Sequence, residues 1–344
     1  MGPIVVRGAY PGDVPNRPLV IAHRGASGYR PEHTMAAYRL AIALGADAIE
    51  PDLVATRDGV LVLRHENEIS GTTDIASRPE FASRRTTKRI DGTELTGWFT
   101  EDFDWAELAT LRATERIPEV RGASATHGGR EPMLRLRDLV DLLASTPTAR
   151  GRLPLLVAEL KHATHFDAVG HPLDELLVRE LDGRLDPDRV IVESFEQTVL
   201  DRLADRGIAG RRIFLAERSG SPADLVARLG RAALPYSAHL TDAGLGRLAR
   251  AVDGVSVDVR LILEQDARGR VTGTSDLVDR AHAAGLEVYT WTLRPENRFL
   301  PRSLRIGDDP AAWGRWDEAF SLVLGTGVDG VFADHPDLVF ALLD

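Results

Sequence analysis

Eight short apolar runs, marked by Leu19, Ile49, Leu156, Ile191, Ile213, Val255, Val288 and Val331, recur along the 344-residue chain with helix-like segments between most of them. Alternation of strand and helix calls for a parallel sheet, and eight such units close that sheet into a (β/α)8 TIM barrel. An open doubly wound sheet is the rival topology; no glycine-rich nucleotide loop follows a strand, so it ranks second. A barrel of this kind takes ~250 residues, so the surplus must lie outside it. Residues 1–17 carry Gly, Pro and Asn without periodicity and read as a surface lead-in. Residues 67–132 are polar and turn-rich, and read as a small insertion after the second strand within a barrel domain spanning 18–344.

The stretch 19–66 sets out the pattern. A strand over 18–22 leads through a turn at Gly25 and Gly28 to a helix over 35–44, with Thr34 as its N-cap and Gly45 as its stop. A second strand over 47–54 turns at Arg57-Asp58-Gly59 into the run 60–63, which ends at His65. Helices are expected over 136–144, 173–181, 198–206 and 277–284, and strands over 155–160, 190–192, 212–215, 254–257, 288–292 and 330–332.

In such a barrel the C-terminal strand ends form the active face, so residues that close each run converge however far apart they lie in sequence. Here those residues are polar and mostly charged: His23 and Arg24, Glu50 and Asp52, His65 and Glu66, Glu159 and Lys161, Glu193, Asp258, Trp291 and Arg294, and Asp334. Glu50 and Asp52 are two apart on a strand and point the same way. Converging carboxylates are costly unless a cation neutralises them or a proton does. With Glu159 they make three carboxylates, a set that suits a divalent metal such as Ca2+ or Mg2+ better than Zn2+.

Composition narrows the remaining classes. The 42 Lys and Arg against 52 Asp and Glu leave a net charge of −10, which advertises no face for nucleic acid. With no cysteine there are no disulfides, thiolate metal sites or thiol nucleophiles. No run approaches the ~20 apolar residues of a membrane span, and the N-terminus lacks the pattern of a secretory signal. The expectation is a cytoplasmic protein, or an extracytoplasmic one if a signal has been removed.

The run HRGASGYRPEHT, followed by GADAIEPDLVATRDGVLVLRHE, resembles the signature of the glycerophosphodiester phosphodiesterase family, nearest to its bacterial periplasmic type. Looser likeness continues through AELK at 158–161, DGVSVD at 253–258, YTWTLR at 289–294 and GVDGVFADHPD at 327–337. The resemblance implies a (β/α)8 barrel with a segment inserted after the second catalytic histidine. It also implies metal-dependent hydrolysis of a glycerophosphodiester to sn-glycerol 3-phosphate and an alcohol. By that motif match His23 and His65 are the general acid and base pair, Arg24 grips the phosphate, and Glu50, Asp52 and Glu159 bind the metal. Lys161 orients the phosphate, and Trp291 and Arg294 stand at the substrate. Whether the attacking oxygen is a glycerol hydroxyl, giving a cyclic phosphate, stays open. Glu66 replaces the aspartate that many members carry after the second histidine, and PEHT is shared with the periplasmic type.

Two other readings stand beside this one: a phospholipase D or C-like lyase acting on a larger phospholipid head group, and a non-enzymatic barrel that binds a polyol phosphate. Glu193, Asp258, Arg294 and Asp334 divide between substrate contact and loop or cap duty, and Trp291 between glycerol pocket and barrel packing. His127, His162, His165, His171, His239, His282 and His335 read as solvent-facing or structural, with His162 and His165 the best exceptions because they follow Lys161. Arg84, Arg85, Lys88 and Arg89 read as a solvated face of the insertion.

Overall fold

The computed structural model describes residues 17–344, so the expected lead-in lies outside the described residues except for Arg17. The first strands are β1 (Leu19–His23), β2 (Ala48–Glu50), β3 (Asp52–Ala55) and β4 (Leu61–Leu63). A hairpin of β5 (Thr86–Ile90) and β6 (Thr93–Gly97) follows, then β7 (Leu155–Leu160), β8 (Val190–Ser194), β9 (Arg211–Ala216) and β10 (Gly254–Asp258). A second hairpin, β11 (Leu263–Gln265) and β12 (Val271–Thr274), precedes β13 (Glu287–Leu293) and β14 (Gly330–Ala333).

Each neighbour in the series β1, β2, β7, β8, β9, β10, β13, β14 pairs in parallel, and β14 pairs back onto β1, closing an eight-stranded barrel. All eight apolar markers fall on these strands. Side chains alternate between two cores, as strand geometry requires. Leu19, Ile21, Ala48, Leu155, Val157, Ile191, Ile213, Tyr289 and Phe332 fill the barrel interior. Their neighbours Val20, Ile49, Leu156, Val192, Phe214, Val255, Val288 and Val331 face the helices. Both sets are almost wholly removed from water, each aliphatic side chain contributing ~1.5–3 kcal/mol.

The helices at Met35–Ala43, Leu136–Ser145, Leu173–Leu181, Gln197–Asp205 and Leu277–Ala283 lie where the apolar spacing places them. Thr34 caps the first, its side chain accepting from the Ala37 amide at 3.1 Å. Further helices lie at Asp242–Leu248, Trp316–Leu324 and Pro336–Leu343.

One expected element differs. Pro51 has no N–H to give the ladder, and it divides the strand expected over 47–54 into β2 and β3. β2 and β3 both pair with β7, and β4 returns antiparallel along β3. Between β4 and the Leu136–Ser145 helix, the segment 67–132 gathers 3-10 turns, the β5–β6 hairpin and short helices at Trp105–Leu108 and Gly122–Ala125. It buries Phe81, Trp98, Phe99 and Phe103 and is tied to the barrel by the Arg57 amide donating to the Phe103 carbonyl at 2.9 Å. Among the described residues no helix is long and apolar enough to cross a membrane.

Candidate active site

Strand parity decides which residues meet. His23, Glu50, Glu159, Glu193, Trp291 and Asp334 each follow their strand's interior-facing residues by an even step, so they continue the barrel filling upward as a polar layer. Register makes them neighbours: His23 lies opposite Glu50, Asp52 opposite Glu159, Glu159 opposite Glu193, and Asp258 opposite Trp291. Above this layer opens a cavity of about 1230 Å³ lined by His23, Arg24, Glu50, His65, Glu159, Lys161, Trp291 and Arg294. Asp52 is fully buried beneath them. All nine site residues read from the sequence are thus gathered at one end of the barrel.

The carboxylates form its floor. Glu50, Asp52 and Glu159 each offer an oxygen within 4.8 Å of the others. Glu50 Oε1 and Asp52 Oδ1 are buried without a hydrogen-bond partner, as is Glu193 Oε2 beside them. Burial and then the charge of Asp52 push Glu50 well above the usual carboxylate range. Burial pushes Glu159 up to about 8 and, with Glu159 next to it, raises Glu193 too. Burial acts on Asp52 in the same direction, but Arg24, His65 and Lys161 outweigh it and hold this carboxyl well below its ordinary value. With all four carboxyls ionised they would face two close cations, Arg24 and Lys161, a deficit of two positive charges that protons or a bound cation must make up. Orphaned buried oxygens, an all-carboxylate donor set and that deficit fit a hard divalent cation.

Arg24 sits in the left-handed region at φ 58, followed by Gly25 at φ 85. This bend turns the Arg24 amide onto Glu50 Oε2 at 2.8 Å and sends its guanidinium back over the floor. Arg24 Nη1 donates to Glu32 Oε2 at 3.1 Å, while Nε stands 3.0 Å from Asp52 Oδ2 as an ion pair without hydrogen-bond alignment. Lys161 donates to Glu159 Oε1 at 2.8 Å.

Each histidine is held from behind by a carboxylate. His23 Nδ1 lies 2.6 Å from Asp334 Oδ1, and His65 Nδ1 lies 2.5 Å from Glu66 Oε1. His65 Nε2 lies 3.2 Å from Lys161 Nζ; an ammonium can only donate, so this nitrogen carries a lone pair that accepts from Lys161 at the cavity wall. Burial, then Arg24, push His23 down to about 4 against the pull of Asp334. Burial, then Arg24 and Lys161, push His65 down to about 3.

Several residues here escaped the sequence reading. His33, in PEHT, is fully buried with Nε2 3.0 Å from Asp52 Oδ2 and Nδ1 2.8 Å from Tyr38 Oη, anchoring that carboxylate. Asp334 and Glu193 belong to the polar layer, both buried. His162 and His165 do line the cavity, paired with Asp91 at 2.6 Å and Glu101 at 2.9 Å from the inserted segment. The basic run is not one solvated face: Lys88 pairs with Glu101 and Asp102, Arg84 with Glu107, and Arg89 reaches the cavity. Arg116 and Arg121 reach the histidine supports Glu66 and Asp334 with no local signal in sequence to mark them, and Glu32 of the PEHT run accepts from Arg24 and Arg116.

The chain is similar to known proteins over most of its length. Residues 23–338 match the model of the glycerophosphoryl diester phosphodiesterase family. A glycerophosphodiester phosphodiesterase of Arabidopsis thaliana is 30% identical over 93% of this chain and 84% of its own length. One from Treponema pallidum is 26% identical over 93% of this chain and 90% of its own. Among solved structures, an Oleispira antarctica phosphodiesterase in complex with the product sn-glycerol-3-phosphate superposes with a TM-score of 0.60 at 21% identity, covering 95% of this chain and 97% of that one. A glycerophosphodiester phosphodiesterase from Agrobacterium tumefaciens superposes with a TM-score of 0.54 at 20% identity, covering 94% of this chain and 99% of that one.

Proposed function

The chain belongs to the glycerophosphoryl diester phosphodiesterase family and is a phosphodiesterase, and on that premise we propose that it cleaves a glycerophosphodiester to sn-glycerol 3-phosphate and an alcohol by paired histidine catalysis. The observation that carries this reading is the meeting of two carboxylate-held imidazoles and an acidic trio on one cavity. The glycerol phosphate named with the Oleispira antarctica structure supports the product assignment.

Diester cleavage needs a proton removed from the attacking oxygen and a proton given to the departing alkoxide as the P–O bond breaks. His23 and His65 share these two tasks. In the free cavity burial, then the repulsion of Arg24, disfavours a proton on both rings, with Arg294 adding to it at His23 and Lys161 at His65. An incoming phosphodiester anion offsets that repulsion, so binding favours protonating one imidazole while the other keeps its lone pair. Arg24 and Lys161 hold the phosphate oxygens, Arg294 borders the phosphate, and Trp291 packs the glycerol. Glu50, Asp52 and Glu159 would hold Ca2+ or Mg2+, which when bound offsets negative charge on the phosphoryl group.

Glycerophosphocholine turnover, followed by release of glycerol 3-phosphate, tests the reading. The expected result is activity abolished by chelation and restored by Mg2+ or Ca2+, with His65→Ala slower by about 100-fold or more and unchanged in circular dichroism. Full activity in metal-free protein, or a near-normal rate in His65→Ala, would refute it.

A further inference from the structure

The barrel supplies both histidines, the carboxylates behind them, Glu66 and Asp334, and one cation, Arg294, whose Nε donates to Asp334 Oδ2 at 2.6 Å; the other cations that hold those carboxylates, Arg116 and Arg121, come from the segment 67–132. Arg116 lies between two acids. Its Nη1 and Nη2 donate to Glu66 Oε1 and Oε2 at 2.9 and 2.7 Å, and its Nε and Nη2 donate to Glu32 Oε2 and Oε1 at 2.8 and 2.6 Å. Glu66 Oε1 is the same atom that meets His65 Nδ1. Five residues on, Arg121 Nη2 donates to Asp334 Oδ2 at 2.6 Å, Nε to Glu296 Oε1 at 2.7 Å and Nη1 to the Ser27 carbonyl at 3.2 Å. Asp334 Oδ1 meets His23 Nδ1.

The short turn carrying both arginines is itself braced. The Val120 and Arg121 amides donate to the Ile117 carbonyl, and Glu115 accepts from the Ile117 amide at 3.1 Å and from Ser124 Oγ at 2.5 Å. Two guanidiniums five residues apart therefore reach the backs of two histidines that stand 42 positions apart in sequence.

We propose that the inserted segment sets the ring orientation and tautomer of both histidines, with Arg116 acting through Glu66 on His65 and Arg121 acting through Asp334 on His23. The proposal rests on the histidine-pair reading above and assigns the insertion its part in that reaction. A carboxylate clamped by a guanidinium stays ionised and has no hydrogen to give, so each imidazole must donate from Nδ1 and turn Nε2 to the cavity. Without Arg116, Glu66 is free to rotate or take a proton and His65 loses its fixed tautomer; without Arg121, Arg294 alone holds Asp334, so His23 is loosened less. Arg116 and Arg121 are positioning residues: they act on substrate only through the imidazoles.

The test compares Arg116→Gln, Arg121→Gln and a control, Arg84→Gln, which removes an ion pair to Glu107 inside the same segment but away from the cavity. Arg116→Gln is expected to lose about 10–100-fold in kcat and Arg121→Gln, where Arg294 remains on Asp334, about 10-fold, with KM little changed and part of the loss regained in millimolar guanidine. Read on the protein without substrate, the downfield Nδ1–H proton resonance of His65 should vanish in Arg116→Gln, and that of His23 should shift and broaden in Arg121→Gln. Arg84→Gln should keep both the rate and the resonances. Unchanged kcat in the two variants, both resonances unmoved, or equal loss in Arg84→Gln would overturn the proposal. If the glutamine variants fail to fold, Arg116→Lys and Arg121→Lys decide it, since lysine keeps the charge but not the fork and should restore folding with only partial kcat; full kcat there would also overturn it. A wild-type protein that shows the two resonances but turns over no glycerophosphodiester would instead refute the functional reading.

Discussion

Replacing Gly25 with alanine should cost far more than one methyl group suggests. Gly25 has φ +85, and a Cβ there would meet the Ala37 carbonyl carbon at 2.8 Å, its Cβ at 2.9 Å and its oxygen at 3.0 Å. Most of that is backbone in the first turn of the Met35–Ala43 helix, so relief requires the helix or the loop to shift. The left-handed conformation costs an L-residue ~1–2 kcal/mol, and overpacking against an unyielding wall adds ~1–3 kcal/mol. The expected destabilisation is therefore about 2–5 kcal/mol. The strain falls between the Arg24 amide on Glu50 and the Ala26 amide, which donates to the Ala37 carbonyl at 3.0 Å. A shift of this loop by ~1 Å would cost up to ~100-fold in turnover. Urea denaturation and saturating glycerophosphocholine assays measure the two effects. Gly246→Ala is the counterpart, because Gly246 lies in the Asp242–Leu248 helix, where an added methyl group meets nothing within 4 Å and the backbone φ is not positive. It should stabilise by about 0.5–1 kcal/mol. A Gly25→Ala protein within about 1 kcal/mol of wild type and equally active would refute the reasoning.

Other consequences follow from the charged floor. At a divalent cation concentration about 100 times Kd, the wild type should gain ~2.7 kcal/mol of stability over the chelated protein. Glu50→Gln, lacking one of the three carboxylates, should gain much less at that concentration in thermal unfolding; an equal gain would remove Glu50 from the metal site. The lowered value of His23 predicts acid sensitivity: its unfolded form takes up a proton near pH 6.5 and its folded form only near 4, so stability is full above 6.5 and drains away as pH falls. Between about pH 7 and about pH 5, chelated wild type should lose ~2 kcal/mol more than His23→Asn, whose amide keeps a donor for Asp334. Equal losses in urea denaturation would show that the ring is not held neutral.

Much of this protein is legible along the chain. Apolar runs in strands must alternate between barrel interior and helix layer, so the eight runs and the helices between them announce a barrel before any coordinate is known. Glu50 with Asp52, and Glu159 with Lys161, stand two apart on or beside a strand, and local periodicity alone sends each pair the same way. Even so, the division of the second strand at Pro51 shows that backbone hydrogen-bonding capacity, not apolar pattern, sets where a ladder breaks.

What supports the histidines required tertiary structure. Asp334 reaches His23 because β14 closes the barrel against β1, a pairing 311 residues apart in sequence. Arg116 and Arg121 carry no periodic or motif signal, since a side chain in an irregular turn is placed by the packing of its loop and not by strand or helix spacing. The sequence alone thus determined the barrel and the polar residues that close its strands, because both follow from local periodicity. Only the fold decided which buried charge neutralises which, because ion pairing depends on distances across the structure that no spacing along the chain encodes.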